Sequence, residues 1–344
     1  MTARDAPRAV ILGCAGPALD ERESRFLSDA DPAGFILFKR NCENPAQTRA
    51  LISALREAVS REDAPVLIDQ EGGRVVRLGQ PHWREPPAAA LLGRLAARDE
   101  AAGLRAAWLN ARLVATDLHA LGITVNCMPV LDLHFADASK VVGDRSLGAD
   151  PDLVGRLGRA VADGLSAGGI VPAVKHLPGH GRAAADSHAV LPRVDAPLDA
   201  LRARDFVPFG ALRDVPAGLT AHVCYEAIDP NRPGTLSPAV IGEAVRGAIG
   251  FDGLLLSDDL SMGALTGSVG ARAAGALAAG CDVALHCNGK RDEMEEVVAA
   301  APRLGGLARE RFARMLAARH APEPFEEAAG RRALDALLGP VTPP

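Results

Sequence analysis

Eight short apolar runs, separated by stretches with helical spacing, constrain this chain more than any other feature. The runs fall at 8–16 (RAVILGCAG), 34–38 (GFILF), 65–70 (PVLIDQ), 124–133 (TVNCMPVLDL), 170–176 (IVPAVKH), 218–225 (GLTAHVCY), 253–259 (GLLLSDD) and 281–287 (CDVALHC). Between them, segments such as 44–60 and 149–168 repeat apolar residues at the three-to-four spacing of an amphipathic helix. A helix linking two strands of one sheet brings the chain back to the same end, so such strands run parallel. Eight strand–helix units predict the α/β class and a single (β/α)8 TIM-type barrel, with a doubly wound open sheet as the alternative.

Polar residues fall where these runs stop: Asp69, Asp132, Lys175 with His176, His222, Asp258 and His286. In a (β/α)8 barrel the C-terminal strand ends face the active site. At any one position, a strand end can simply be where burial stops and a polar residue is tolerated. At 344 residues the chain is longer than most single domains, but a barrel absorbs it. We expect a catalytic barrel over 1–320, including the amphipathic run 306–320, and a C-terminal tail over 321–344 that is no separate domain.

Composition removes several function classes. The 38 basic and 43 acidic residues are interspersed, with a net charge of −5 and no basic stripe, which argues against nucleic acid as a partner. No apolar run approaches the roughly 18–20 residues that span a bilayer, so no membrane partner is expected. The six cysteines (14, 42, 127, 224, 281, 287) form no CxxC pair, which suits free thiols and a cytoplasmic location. ILGC at 11–14 faintly resembles a lipoprotein cleavage box, but its apolar stretch is short and Asp5 interrupts the basic flank, so residues 8–14 read as the first strand. With two Trp, one Tyr and nine Phe, the chain is poorly supplied for a carbohydrate-binding scaffold that works by stacking.

The densest chemistry lies in KHLPGHGRAAADSH, 175–188. Pro178, Gly179 and Gly181 preclude a helix there, so the segment is a loop leaving a strand. Asp186 and His188, one residue apart, are placed to exchange a hydrogen bond that fixes the imidazole tautomer and raises its basicity. The bland alternative is a solvated Gly/Ala-rich loop. A metal-dependent hydrolase would draw ligands from His176, His180, Asp186, His188 and His222. The four-residue spacing of His176 and His180 serves a metal on a helix, which Pro178 and the glycines break, so no metal and no cofactor are expected.

This string, together with 36–49 (ILFKRNCENPAQTR), 67–78 (LIDQEGGRVVRL), 141–151 (VVGDRSLGADP) and 254–262 (LLLSDDLSM), resembles the bacterial β-N-acetylhexosaminidases of glycoside hydrolase family 3 over roughly 10–290. The resemblance implies a retaining exo-β-N-acetylglucosaminidase with Asp258 as nucleophile and His188 as acid/base, oriented by Asp186. It also implies sugar binding by Asp69, Arg77, Arg145, Lys175 and His176. Its substrate would be a small-molecule sugar, GlcNAc on an anhydro-muropeptide, in cytoplasmic peptidoglycan recycling, with a monomer as the expected state. From the residues alone Asp259 equals Asp258, because strand alternation does not reveal which parity points inward. Arg77 and Arg145 are likewise open to service as partners of Glu71 and Asp144. A neutral histidine in place of a second carboxylate repels an anionic nucleophile less, which keeps a phosphorylase in view alongside hydrolysis.

Overall fold

The computed structural model describes residues 6–138, 140–185, 187 and 190–339. All eight predicted runs form strands of one closed, all-parallel barrel: β1 (Arg8–Gly13), β2 (Pro32–Leu37), β3 (Val66–Ile68), β4 (Val125–Asn126), β5 (Val171–Leu177), β6 (Ala217–Thr220), β7 (Leu254–Asp259) and β8 (Val283–His286). Each strand pairs with its neighbours in sequence, and β1 closes on β8 through Val10–Ala284, Ile11–Leu285 and Leu12–His286. Gly13 stands at this seam, where a Cβ would collide with the Cys287 carbonyl.

The intervening helices begin where the sequence supplies caps. Asn44 and Asp150 accept hydrogen bonds from Gln47 N and Leu153 N, each followed by a proline that starts the helix: Pro45–Ala58 and Pro151–Ala167. The long helix Glu100–Leu121 ends on Gly122, whose φ of 85° favours glycine.

Strand alternation produces two cores. One stripe, including Ile11, Leu67, Val125, Val171, Ala173, Leu254, Leu256, Val283 and Leu285, fills the barrel interior. The other, including Val10, Leu12, Phe35, Leu37, Val66, Ile68 and Leu255, packs outward against the helices. Leu304, Phe312 and Met315 join the inner cluster with Ala6 at the N-terminal end, leaving the C-terminal mouth as the open side. Continuing the inner parity past the apolar layers puts Asp69, Lys175 and Asp258 at that mouth, beyond Leu67, Ala173 and Leu256.

Two expectations change in detail. The fourth run pairs in the barrel only at Val125 and Asn126, because Pro129 interrupts it; Val130 regains one bridge to Lys175. The expected tail contains the helix Glu327–Leu338, which packs on Glu100–Leu121, with Phe325 edge-on to Trp108 at 6.1 Å. Gly330 and Leu334 are buried there and Phe325, Leu337 and Leu338 half-buried, a face that the segment's Pro- and Glu-rich start conceals in the sequence.

Candidate active site

The mouth holds a cavity of about 490 Å³ whose wall includes Asp69, Glu71, Arg77, Arg145, Lys175, His176, Ser187 and Asp258. Five of these, all predicted, come from the ends of strands or the loops that follow: Asp69, Arg77, Arg145, Lys175 and His176 meet in one network. Lys175 Nζ lies 2.6 Å from Asp69 and 2.6 Å from Glu71. Arg145 grips Glu71 with two bonds of 2.8 Å, and Arg77 reaches Asp69 at 3.1 Å. Arg145 therefore does have the partner Glu71, yet it also borders the cavity; Asp144 pairs instead with Arg74, at 2.7 Å.

Burial alone would raise the acid constants of these carboxyls, but the surrounding cations win. Lys175 and Arg77 hold Asp69 well below the usual range, and Lys175 with Arg145 brings Glu71 down to about 2. Burial opposes the charge of Lys175, and Asp69 and Glu71 outweigh it, raising its value. All three groups are ionised at neutral pH, and charged groups make the stronger hydrogen bonds to a hydroxyl or amide.

Residues that sequence reasoning did not assign fix this network. Gln70 points away from the barrel interior, donates to the Leu78 carbonyl at 2.8 Å and accepts from Arg77 N at 2.9 Å, shaping the loop that carries Arg77. Asn126 exchanges two 3.0 Å bonds with the Gln70 backbone and ties β3 to β4. Arg74 donates to the carbonyls of Lys140, Val141 and Val142, steadying the segment before Arg145. Asp132, marked in the sequence only as a strand-end polar residue, is fully buried and bonds His176 Nδ1 at 2.6 Å and His180 N at 2.6 Å. Burial raises its pKa, but His176 and His180 bring it down to about 2.

Two aspartates end β7, and their surroundings separate them. Asp259 accepts from Ser261 N (3.0 Å), Ser261 Oγ (2.7 Å) and Cys287 N (3.1 Å), so its carboxylate is occupied. Asp258 follows Leu254 and Leu256 in the inward parity, accepts one bond from Asp259 N at 2.8 Å, and has no ion pair among the described residues. Burial pushes its pKa up, yet His222, His176, the Asp259 N–H and Lys175 together hold it below the ordinary value. It is an ionised carboxylate with lone pairs free toward the cavity.

Two strand-end histidines turn away from the site. His222 is spent on Thr235 Oγ1 (2.7 Å) and the Asp259 carbonyl (2.9 Å), and His286, outside the inner parity, bonds Glu293 at 3.1 Å. On β8 the period of two puts His286 on the opposite face from Leu285, whereas His222 lies beyond the end of β6 and is turned by its own hydrogen bonds. Asp186 and His188 lie outside the described residues; Ser187, between them, borders the cavity. No group of three or more His, Cys, Asp or Glu among the described residues is arranged to hold a metal ion.

The family model for the glycosyl hydrolase family 3 N-terminal domain matches residues 9–316. The chain belongs to glycoside hydrolase family 3. Two curated family relatives, both called beta-hexosaminidase, are similar to it: one from Methylococcus capsulatus is 41% identical over 79% of this chain and 80% of its own length. The other, from Bordetella avium, is 38% identical over 82% of this chain and 81% of its own. The structure of NagZ from Neisseria gonorrhoeae in complex with N-trifluoroacetyl-D-glucosamine superposes on this family 3 barrel with a TM-score of 0.87 at 31% identity, covering 97% of this chain and 99% of that one.

Proposed function

We propose that this glycoside hydrolase is a retaining exo-β-N-acetylglucosaminidase in which Asp258 is the nucleophile, His188 the acid/base and Asp186 its orienting carboxylate. The observation that carries the reading is the ionised, inward-facing Asp258 sharing one cavity with the charged network of Asp69 and Lys175. Asp69, Arg77, Arg145, Lys175 and His176 would hold the hydroxyls and acetamido group of a terminal sugar, the two arginines adding directional forks. The beta-hexosaminidase relatives and the N-acylglucosamine ligand of the Neisseria protein support the choice of sugar.

In the first half-reaction an Asp258 oxygen bonds to the anomeric carbon while the glycosidic C–O bond breaks and His188 gives its proton to the departing oxygen. In the second, a water oxygen bonds to that carbon, its proton returns to His188, and Asp258 leaves as a carboxylate. Configuration is retained because the carbon is inverted twice. Trapping with a 2-deoxy-2-fluoro glycosyl fluoride and mapping the labelled peptide tests nucleophile and stereochemistry together: a label on Asp258 is expected, and a label on Asp259 overturns the assignment. Product analysis with and without phosphate checks hydrolysis, since sugar 1-phosphate as the main product would identify a phosphorylase.

The reading extends to place and role: residues 1–320 as the catalytic unit of a monomer in the cytoplasm, releasing GlcNAc from anhydro-muropeptides during peptidoglycan recycling. The six free, buried cysteines suit a reducing compartment. Among the described residues no helix is long and apolar enough to cross a membrane. Digestion of GlcNAc–anhydro-muropeptide, compared with chitobiose, checks the substrate; a strong preference for chitobiose would remove the recycling role.

A further inference from the structure

We propose that His180 is a positioning residue whose hydrogen bond to the Ser187 hydroxyl docks the segment carrying Asp186 and His188, and so sets where the proton-transfer group meets the leaving oxygen. The inference rests on the retaining reading above.

His180 sits on backbone with little freedom. Its N–H donates to buried Asp132 at 2.6 Å, the preceding carbonyl, of Gly179, accepts from Tyr225 Oη at 2.9 Å, and a Cβ on the following Gly181 would collide with the Leu133 carbonyl. From this fixed point Nε2 lies 3.1 Å from Ser187 Oγ. Ser187 has a second tether, its carbonyl accepting from Ala264 N at 3.1 Å, in the loop that follows β7 and Asp258. One serine is thus joined to the ends of the two strands that bring the network and the nucleophile, and it is 4% exposed although it lies in a Gly/Ala-rich segment.

The ring carries a cost that structure alone does not explain. His180 Nδ1 is buried with no partner among the described residues, which an apolar side chain in the same space would avoid. Burial, the largest influence, pushes its pKa down to about 4, so the ring is neutral at ordinary pH and suited to a hydroxyl partner rather than to proton transfer with substrate. Neither half-reaction passes a proton through His180; its effect is on the position of its neighbours along the chain.

The test compares kcat/KM of the wild type, Ser187→Ala, Ser187→Thr and His180→Gln on phenyl and 2,4-dinitrophenyl N-acetyl-β-glucosaminides, because only the phenyl leaving group depends strongly on protonation. Ser187→Ala is expected to lose about tenfold on the phenyl glycoside, the weight of one hydrogen bond, and at most about twofold on the dinitrophenyl one. Ser187→Thr, which keeps the hydroxyl, restores most of the loss. Equal losses on both substrates with a lowered Tm, or no loss on either, overturn the docking role while leaving the hydrolase reading intact. If the wild type cleaves neither glycoside, the functional reading itself fails.

Discussion

On the β3–β5 side of the cavity Asp69, Glu71 and Asp132 are each bonded to a cation or an imidazole, whereas on the β7 side Asp258 accepts one backbone N–H. The difference separates two jobs. A carboxylate locked between Lys175 and Arg77 has one lone pair on each oxygen committed and its basicity lowered, so it is a rigid hydrogen-bonding fixture and a poor nucleophile. Asp258 is held below the ordinary carboxylate value against the cost of burial chiefly by its neighbours His222 and His176, which make no bond to its oxygens. Asp259 shows the third outcome: three donors fill its carboxylate and make it a brace for the β7–β8 mouth.

Removing the free carboxylate should break that contrast most severely. Asp258→Ala is expected to lower kcat on p-nitrophenyl N-acetyl-β-glucosaminide by about four to six orders of magnitude with the fold intact by circular dichroism. Asp259→Ala should act chiefly through stability, and equal activity losses in the two would merge roles that the geometry separates. His188→Ala is expected to lose about two to four orders of magnitude on poor leaving groups and far less on activated ones, read as kcat/KM across a leaving-group series.

On the paired side the expected loss is of stability. Lys175→Ala leaves Asp69 and Glu71 facing each other in a buried site and should cost about 3–5 kcal/mol, measured by urea unfolding. Retention of full stability would mean that the network is solvated in solution. A smaller effect follows from His180. Its folded pKa, near 4, lies below the ordinary histidine value of about 6.5, so the unfolded state takes up the proton first and stability falls as pH drops from about 6.5 to about 4. His180→Gln should flatten that slope, while the further loss below pH 4, where Glu71 and Asp132 are protonated in the unfolded chain, should remain. Smallest is Arg74→Ala, which removes a half-exposed pair with Asp144 and should change stability by less than about 1 kcal/mol, with a modest rise in KM through the loop before Arg145.

Much of this was legible from patterning. Eight apolar runs sufficed for the closed barrel, because a parallel strand buried on both faces reads as a continuous apolar segment wherever it falls. Polar residues at the strand ends marked the mouth, and five of the seven, Asp69, Asp132, Lys175, His176 and Asp258, border the cavity or its network. The sequence could not say that His286 faces outward, since a period of two gives alternation without its phase, nor that β6 ends before His222 and leaves it bonded to Thr235 and Asp259. Nor could it show Gln70, Asn126 and Arg74 as supports: their partners are backbone groups about 8 to 68 positions away, set by strand register and loop path rather than by local spacing.

The sequence by itself determined the barrel, the family and the short list of residues able to do chemistry, because hydrophobic period and residue type are local properties. Tertiary structure decided which of two adjacent aspartates keeps its oxygens free, which carboxylates are neutralised and which histidines turn away. Those outcomes depend on distances between strands remote in the chain, and Coulombic attraction, desolvation and hydrogen bonding are set by such distances.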